Sequence, residues 1–199
     1  MAAPRGRPRS FDRDDALRRV MEVFWAKSYE GAQLTDLTAA IGVTPPSFYA
    51  AFGSKEAAFR EAVELYKATT GSVFLKALEM GATARDSIRA MLKASIDVAV
   101  SAPNAAGCML LTGVMSCQPE SDPLSDLLKG IRRENIARIE KRLERGREDG
   151  DVPPEADIPV LARFYSGMMQ AISMQARDGM SREQLEAGLD PAMAALTRR

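Results

Sequence analysis

The chain of 199 residues contains no histidine. That removes the commonest general base and the commonest metal ligand together. It has two cysteines, Cys108 and Cys117, too few for a disulfide framework. Its 27 basic and 27 acidic residues cancel to a formal net charge of zero. A uniformly basic coat suited to nucleic acid is therefore absent, and any basic site must be local. No apolar run approaches the ~18 residues needed to span a bilayer. The opening MAAPRGRPRS is basic, with no apolar stretch behind it. The expectation is a soluble cytoplasmic protein with no membrane partner, no metal and no cofactor. A glycine-rich phosphate loop and an isolated carboxylate pair in apolar surroundings are also lacking, which argues against an enzyme.

What is present is helical patterning almost throughout, and an all-α fold is expected. Residues 1–10 form a basic arm in which Arg5, Arg7 and Arg9 alternate with Gly6 and Pro8. From Asp12 to Ser28 the apolar residues Leu17, Val20, Met21, Phe24 and Trp25 recur at helical steps. A second short helix follows, with Thr35 as its cap and Gly42 as its left-handed stop. Only Val43 and Thr44 separate it from the segment PPSFYAAF, and two short helices joined so tightly make a helix-turn-helix.

In that segment Thr44 is held extended by the proline after it, as an N-cap requires. Pro45 and Pro46 occupy positions whose N–H groups would be unpaired in any case. Phe48 and Phe52, four apart, anchor the helix. Pro46, Tyr49 and Ala50 face outward, with Ser47 at the flank, a small face shaped for a major groove. Ser54 caps the next helix and puts Lys55 at its first position, where the helix dipole disfavours a cation. A phosphate there would be held by free N–H groups and Lys55 together, with Tyr49 reaching another.

Further helices are expected over Ser54–Met80, Ala84–Val100, the buried run AAGCMLLTGVMSC, Asp122–Glu148, Pro159–Ala176 and a last one opened by a Ser181/Gln184 capping box. Pro191 should split the last. The mixed charges of Arg132, Arg133, Glu134, Arg142 and their neighbours predict a solvated face on the Asp122–Glu148 helix.

The stretch LTDLTAAIGVTPPSFYAAFGSKEAAF, Leu34 to Phe59, resembles the DNA-binding domain of the TetR family of bacterial transcriptional regulators. With the flanking helix the resemblance covers roughly residues 11–60. It rests on the Thr-led second helix, the Ala-Ala-x-Gly-Val turn, Tyr49, Phe52, and Gly-Ser-Lys-Glu at the start of the fourth helix. It implies a helical homodimer that binds double-stranded operator DNA through residues 11–60, and an effector-binding and dimerisation domain over 61–199. By position, Thr44, Pro45, Pro46 and Ser47 become the groove-facing start of the recognition helix. Tyr49, Lys55 and Thr35 become backbone contacts. Many members carry a polar residue where Ala51 stands, and the Arg5, Arg7, Arg9 arm would compensate. The recognition helix has no Arg, Lys, Asn or Gln, so readout would rest on thymine-methyl contacts, Ser47 and DNA shape.

The middle helices are rich in flexible apolar residues. Met91, Met109, Met115 and Met168 suggest a pocket for a small lipophilic effector. Asp97 is the exceptional charge in those segments, so a neutral or weakly cationic ligand is expected. The Pro159–Ala176 helix is apolar on more than one face. Phe164, Gly167, Met168 and Ala171 mark a surface on which it and the last helix would pair with their symmetry mates. The repressor reading has two competitors: a helical interaction protein, and a redox-sensing regulator using Cys108 and Cys117. Nine residues apart on one straight helix, those two sulfurs would be too distant to bridge.

Overall fold

The structure is a computed structural model that describes residues 12–102, 107–114 and 122–196. It contains α1 Arg13–Gly31, α2 Leu34–Ile41, α3 Pro45–Phe52, α4 Lys55–Ala68, α5 Val73–Met80, α6 Ala84–Ser101, α7 Met109–Thr112, α8 Asp122–Glu148, α9 Ile158–Arg177, α10 Arg182–Glu186 and α11 Leu189–Met193. No strand occurs among the described residues. No helix among them is long and apolar enough to cross a membrane.

The helix starts follow local chemistry. Asp12 caps α1 by accepting from the N–H groups of Asp14 and Asp15. Thr83, Asp157 and Ser181 cap α6, α9 and α10 in the same way. The Ser181/Gln184 box forms as expected, with the Ser181 N–H donating to Gln184 Oε1 at 2.8 Å.

Four expectations are corrected. The long helix predicted over Ser54–Met80 breaks at Thr69 (φ −108°, ψ −100°), where a 3₁₀ turn over Thr70–Ser72 intervenes before α5. The Thr69 hydroxyl donates to the Leu65 carbonyl at 2.7 Å and helps close α4. Gly71 then passes so close to Tyr66 that a Cβ would lie 2.9 Å from its ring. Of the described part of the apolar run from Ala105, residues 107–114, Met109–Thr112 is helical; residues 103–106 and 115–121, including Met115 and Cys117, lie outside the described residues. The last helix is divided at Ala187 and Gly188, before Pro191, so that the proline falls in the first turn of α11 where it loses no hydrogen bond. Arg142 is not on a solvated face. It is 3% exposed, and its Nε donates to Ser87 Oγ at 2.8 Å. The turn carrying Ser87 can approach α8 because Gly81 leaves room: a Cβ there would lie 2.3 Å from the Ser87 nitrogen.

The core has two lobes. One joins α1–α4 to α7 and the first half of α8, through Phe24, Phe48, Phe52, Phe59, Tyr66, Met109, Leu124, Leu128 and Ile131. The other joins α5, α6, α9, α10 and α11 to the second half of α8, through Leu78, Ile88, Leu92, Ile139, Leu143, Tyr165 and Leu189. The apolar packing of the helix-turn-helix thus continues through α4 into α7 and α8. Helix α8 runs through both lobes, so a shift of α8 is felt in each.

Candidate nucleic-acid interface and ligand cavity

Three packed helices present α3. Phe48 and Phe52 are buried with ring centroids 5.1 Å apart, and they hold α3 against the head. Gly42 (φ 69°, ψ 35°) adopts the left-handed conformation that closes α2 and turns the chain toward α3. Thr44 is extended, as an N-cap must be, but its hydroxyl meets the Ser47 hydroxyl at 3.0 Å rather than a backbone N–H. Thr35, expected as the cap of α2, is the second residue of that helix. Gln33 caps it instead, and its N–H is accepted by Asp36 at 2.9 Å. Asp36 also accepts from Lys27 at 2.7 Å, and this pairing, with the Gln33 N–H, holds its carboxyl below the ordinary value.

Thr35, Thr44, Pro45, Pro46, Ser47 and Tyr49 are all exposed. The Arg5, Arg7 and Arg9 arm lies outside the described residues.

The charges on this head sort clearly. Arg13 pairs with Glu61, Arg18 and Arg19 with Asp15, Lys27 with Asp36, and Arg60 with Glu56. Lys55 is in none of these ion pairs, and Glu30 is the carboxylate whose charge acts on it. Its ammonium sits 4.6 Å from the centre of the Tyr29 ring, an attractive cation–π placement. The ring offsets part of the cost of a cation at a helix start. Burial pushes the Lys55 pKa below the ordinary lysine value, against a weaker opposing pull from Glu30. Sequence reasoning missed Tyr29 as the platform, because a packing partner 26 positions away carries no local signal.

A cavity of about 60 Å³ lies between α4, α5, α6, α7, α8 and α9. Phe74, Val98, Leu111 and Met169 supply apolar wall; Cys108, Arg132, Asn135 and Ser166 supply polar groups. Met91 and Met109 are wholly buried core residues, and Met168 packs partly buried against the same core. The methionine lining the cavity is Met169. Methionine content marks a packed core as readily as a pocket. Asp97, the charge expected there, instead pairs with Arg182 at the exposed surface. An open groove of about 590 Å³ between α4, α5 and α8 adjoins the cavity and shares Leu110 and Asn135 with it.

The segment 107–113 links head and cavity. Trp25 Nε1 donates to the Gly107 carbonyl at 2.6 Å, and the Tyr29 N–H donates to the Gly113 carbonyl at 2.7 Å. The second bond exists because Ser28 (φ 61°, ψ 173°) breaks α1. The same segment is held from the other side: the Cys108 N–H donates to Ser173 Oγ of α9 at 2.7 Å, and Arg132 of α8 donates to the Leu110 carbonyl. Tyr66 OH lies 3.5 Å from Cys108 Sγ. Burial pushes that phenol well above its ordinary pKa, and Cys108 adds to the rise. The Cys108–Cys117 pair cannot be described, since Cys117 lies outside the described residues.

On α9, Val160, Phe164 and Met174 are exposed apolar residues. They fall in one stripe with Gly167 and Ala171, at helical spacing. A Cβ on Gly167 would meet nothing within 4 Å, so its surface is open. Leu185, Leu189 and Met193 of α10 and α11 are buried within the chain's own core, leaving α9 with the free apolar face.

An exposed short helix carried on a helix-turn-helix, with a lysine at the next helix start, defines a DNA-binding head. The comparisons agree. The family model for bacterial regulatory proteins of the tetR family matches residues 17–62, and that for the tetracyclin repressor-like C-terminal domain matches 84–189. The HTH-type transcriptional repressor ComR of Escherichia coli strain K12 is 32% identical over 182 residues, 91% of this chain and 87% of that protein. BdcR, an HTH-type transcriptional repressor of the same strain, is 27% identical over 180 residues, 90% of this chain and 86% of that one. A solved structure of a cysteine mutant of CifR, a TetR family transcriptional regulator, complexed with 26-base-pair operator DNA, is 39% identical with a TM-score of 0.90. It covers 96% of this chain and 100% of its own. The chain belongs to the TetR family of helix-turn-helix transcriptional regulators.

Proposed function

We propose that this protein is a cytoplasmic repressor, not an enzyme, that binds operator DNA as a homodimer and is released by a small, largely apolar ligand. Pro45, Pro46 and Ser47 meet base edges. Thr35, Thr44, Tyr49 and Lys55 meet the phosphate backbone, with the Arg5, Arg7 and Arg9 arm reaching the neighbouring backbone. The single observation that carries this reading is Lys55, which lies over the Tyr29 ring at the start of α4 and outside the ion pairs of the head, next in sequence to an exposed α3. The repressors ComR and BdcR support the sign of regulation, and the CifR complex supports operator DNA as the partner.

Dimerisation uses the Val160, Phe164, Gly167, Ala171 and Met174 stripe of α9, with Met168 at its margin. Residues 61–199 carry both that surface and the cavity. An apolar cavity that holds benzene measures ~150 Å³. At about 60 Å³ this one must expand to admit an effector. The wall that yields includes 107–113, so expansion loads the Trp25 and Tyr29 bonds and turns the head relative to α9. Two heads spaced for major grooves about one helical turn apart then no longer fit.

The test is fluorescence anisotropy with a duplex from upstream of the protein's own gene. Binding should weaken steeply with salt, and Lys55→Gln should lower both affinity and salt slope for every sequence. Arg60→Gln, which removes a cation already paired with Glu56, should do neither. Equal effects of the two substitutions would refute the assignment of Lys55.

A further inference from the structure

The charge balance inside the cavity is one-sided. None of its lining residues is an aspartate or glutamate, and one is an arginine. Arg132 is partly buried and forms no ion pair with any described carboxylate. It donates to the Leu110 backbone carbonyl. A guanidinium has five N–H donors in a planar fork, and among the described residues one neutral carbonyl takes up a single part of that capacity. Asn135 lies three residues further along α8, on the same side as Arg132. It lines the same cavity, as does Ser166 of α9, and the side chains of both make no hydrogen bond to a described residue. Phe74, Val98 and Met169 give the same cavity hydrocarbon wall. The site therefore combines hydrocarbon wall with side-chain donors on Arg132, Asn135 and Ser166 that the described residues leave largely unused.

We infer that the effector is a small amphipathic acid, an apolar body carrying one carboxylate, bound with the carboxylate on Arg132 and Asn135 and the body against Phe74, Val98 and Met169. This rests on the reading of the cavity as the effector site, and it replaces the neutral or weakly cationic ligand expected from sequence. A carboxylate accepts two parallel N–H bonds from a guanidinium, shorter and stronger than a bond to a neutral carbonyl. It therefore competes with the Leu110 carbonyl for Arg132. Drawing Arg132 off Leu110 frees one of the ties on the 107–113 segment, the one from α8. The charged group thus supplies selectivity and loosens the segment that Trp25 and Tyr29 hold to the head. An amine in the same place would face a like charge and no carboxylate, and an alcohol would gain a single neutral bond.

The experiment uses the full chain and matched probes: octanoate, octanol and octylamine, and phenylacetate, 2-phenylethanol and 2-phenylethylamine. Affinity is read by calorimetry and operator release by anisotropy. The acids should bind at least about tenfold more tightly than the matched alcohols, and the amines weakest, which is the size expected for charge-assisted bonds in a partly buried site. Arg132→Gln should erase the preference for acids in the calorimetric affinities; because it also removes the Arg132 tie to the Leu110 carbonyl, its operator affinity without probe should fall below that of the unsubstituted protein. Arg132→Lys keeps the charge without the fork and should retain part of it; Arg133→Gln, on the exposed neighbour, should retain all of it. The inference is overturned if alcohols or amines bind as tightly as acids, if no acid binds, or if the preference survives Arg132→Gln. Operator release by alcohols alone would overturn the ligand class and leave the ligand-responsive reading standing. Absence of operator binding before any probe is added would overturn the regulator reading itself.

Discussion

Replacing Ser28 by glycine should stabilise the protein. Ser28 has φ 61° and ψ 173°, a backbone conformation that is essentially reserved for glycine. A residue with a Cβ held there costs about 1–3 kcal/mol. Its hydroxyl makes no hydrogen bond to a described residue, so its removal breaks none. Against this gain stands the greater freedom of glycine in the unfolded chain, about 0.5–1 kcal/mol. The net expectation is a gain of about 1 kcal/mol, or roughly 2–4 °C in Tm for a chain of this size. Urea denaturation and a thermal scan would both read it, with Ser28→Ala as the control. Alanine keeps the Cβ, and hence the strain, so it should gain nothing. If Ser28→Gly were neutral or destabilising, or if Ser28→Ala stabilised equally, no strain would be stored there. The break matters beyond stability because it is what aims the Tyr29 N–H at Gly113, and the Tyr29 ring is the platform under Lys55.

Trp25→Phe removes the 2.6 Å bond to the Gly107 carbonyl and should cost about 1–3 kcal/mol of stability; operator affinity should hold while the effector concentration for release shifts, and unchanged release would remove Trp25 from the coupling route. Phe164→Asp puts a charge into the α9 stripe and should yield monomers by light scattering at micromolar concentration; a persistent dimer would place the interface elsewhere. The lowered pKa of Lys55 predicts a pH effect with a defined sign. Operator affinity should fall as pH rises through that folded value, at a pH below 10.5, and Lys55→Gln should be flat over the same window. Because the free folded form binds fewer protons at Lys55 than the unfolded chain there, stability from this group rises over that window. At the acid end, Asp36 has a depressed folded pKa, so its contribution is present above the ordinary 3.8 and is lost as pH falls through the folded value. Asp36→Asn should flatten that part of an acid unfolding curve.

What could be read from the chain alone was what short-range chemistry decides. Gly42 ends a helix because it takes a positive φ cheaply. Thr44 and the two prolines start α3 because neither proline needs an N–H there. Phe48 and Phe52 are buried because they share a face. These rules act within about four residues, and they located the helix-turn-helix, the exposed α3 residues and Lys55. The cavity was misread from sequence because its walls come from elements far apart in the chain. Met169 lines it while Met91 and Met109 are core, and nothing in their local patterns separates the two roles. Arg132 and Arg142 stand ten apart on α8 among the same mixed charges. One reaches the cavity and the other lies under Ser87 because of what packs across from each. The break at Thr69, the Trp25–Gly107 bond and the Tyr29 platform are likewise set by contacts between distant segments. Periodicity reports which residues leave water; only the packing of the helices decides what they meet there.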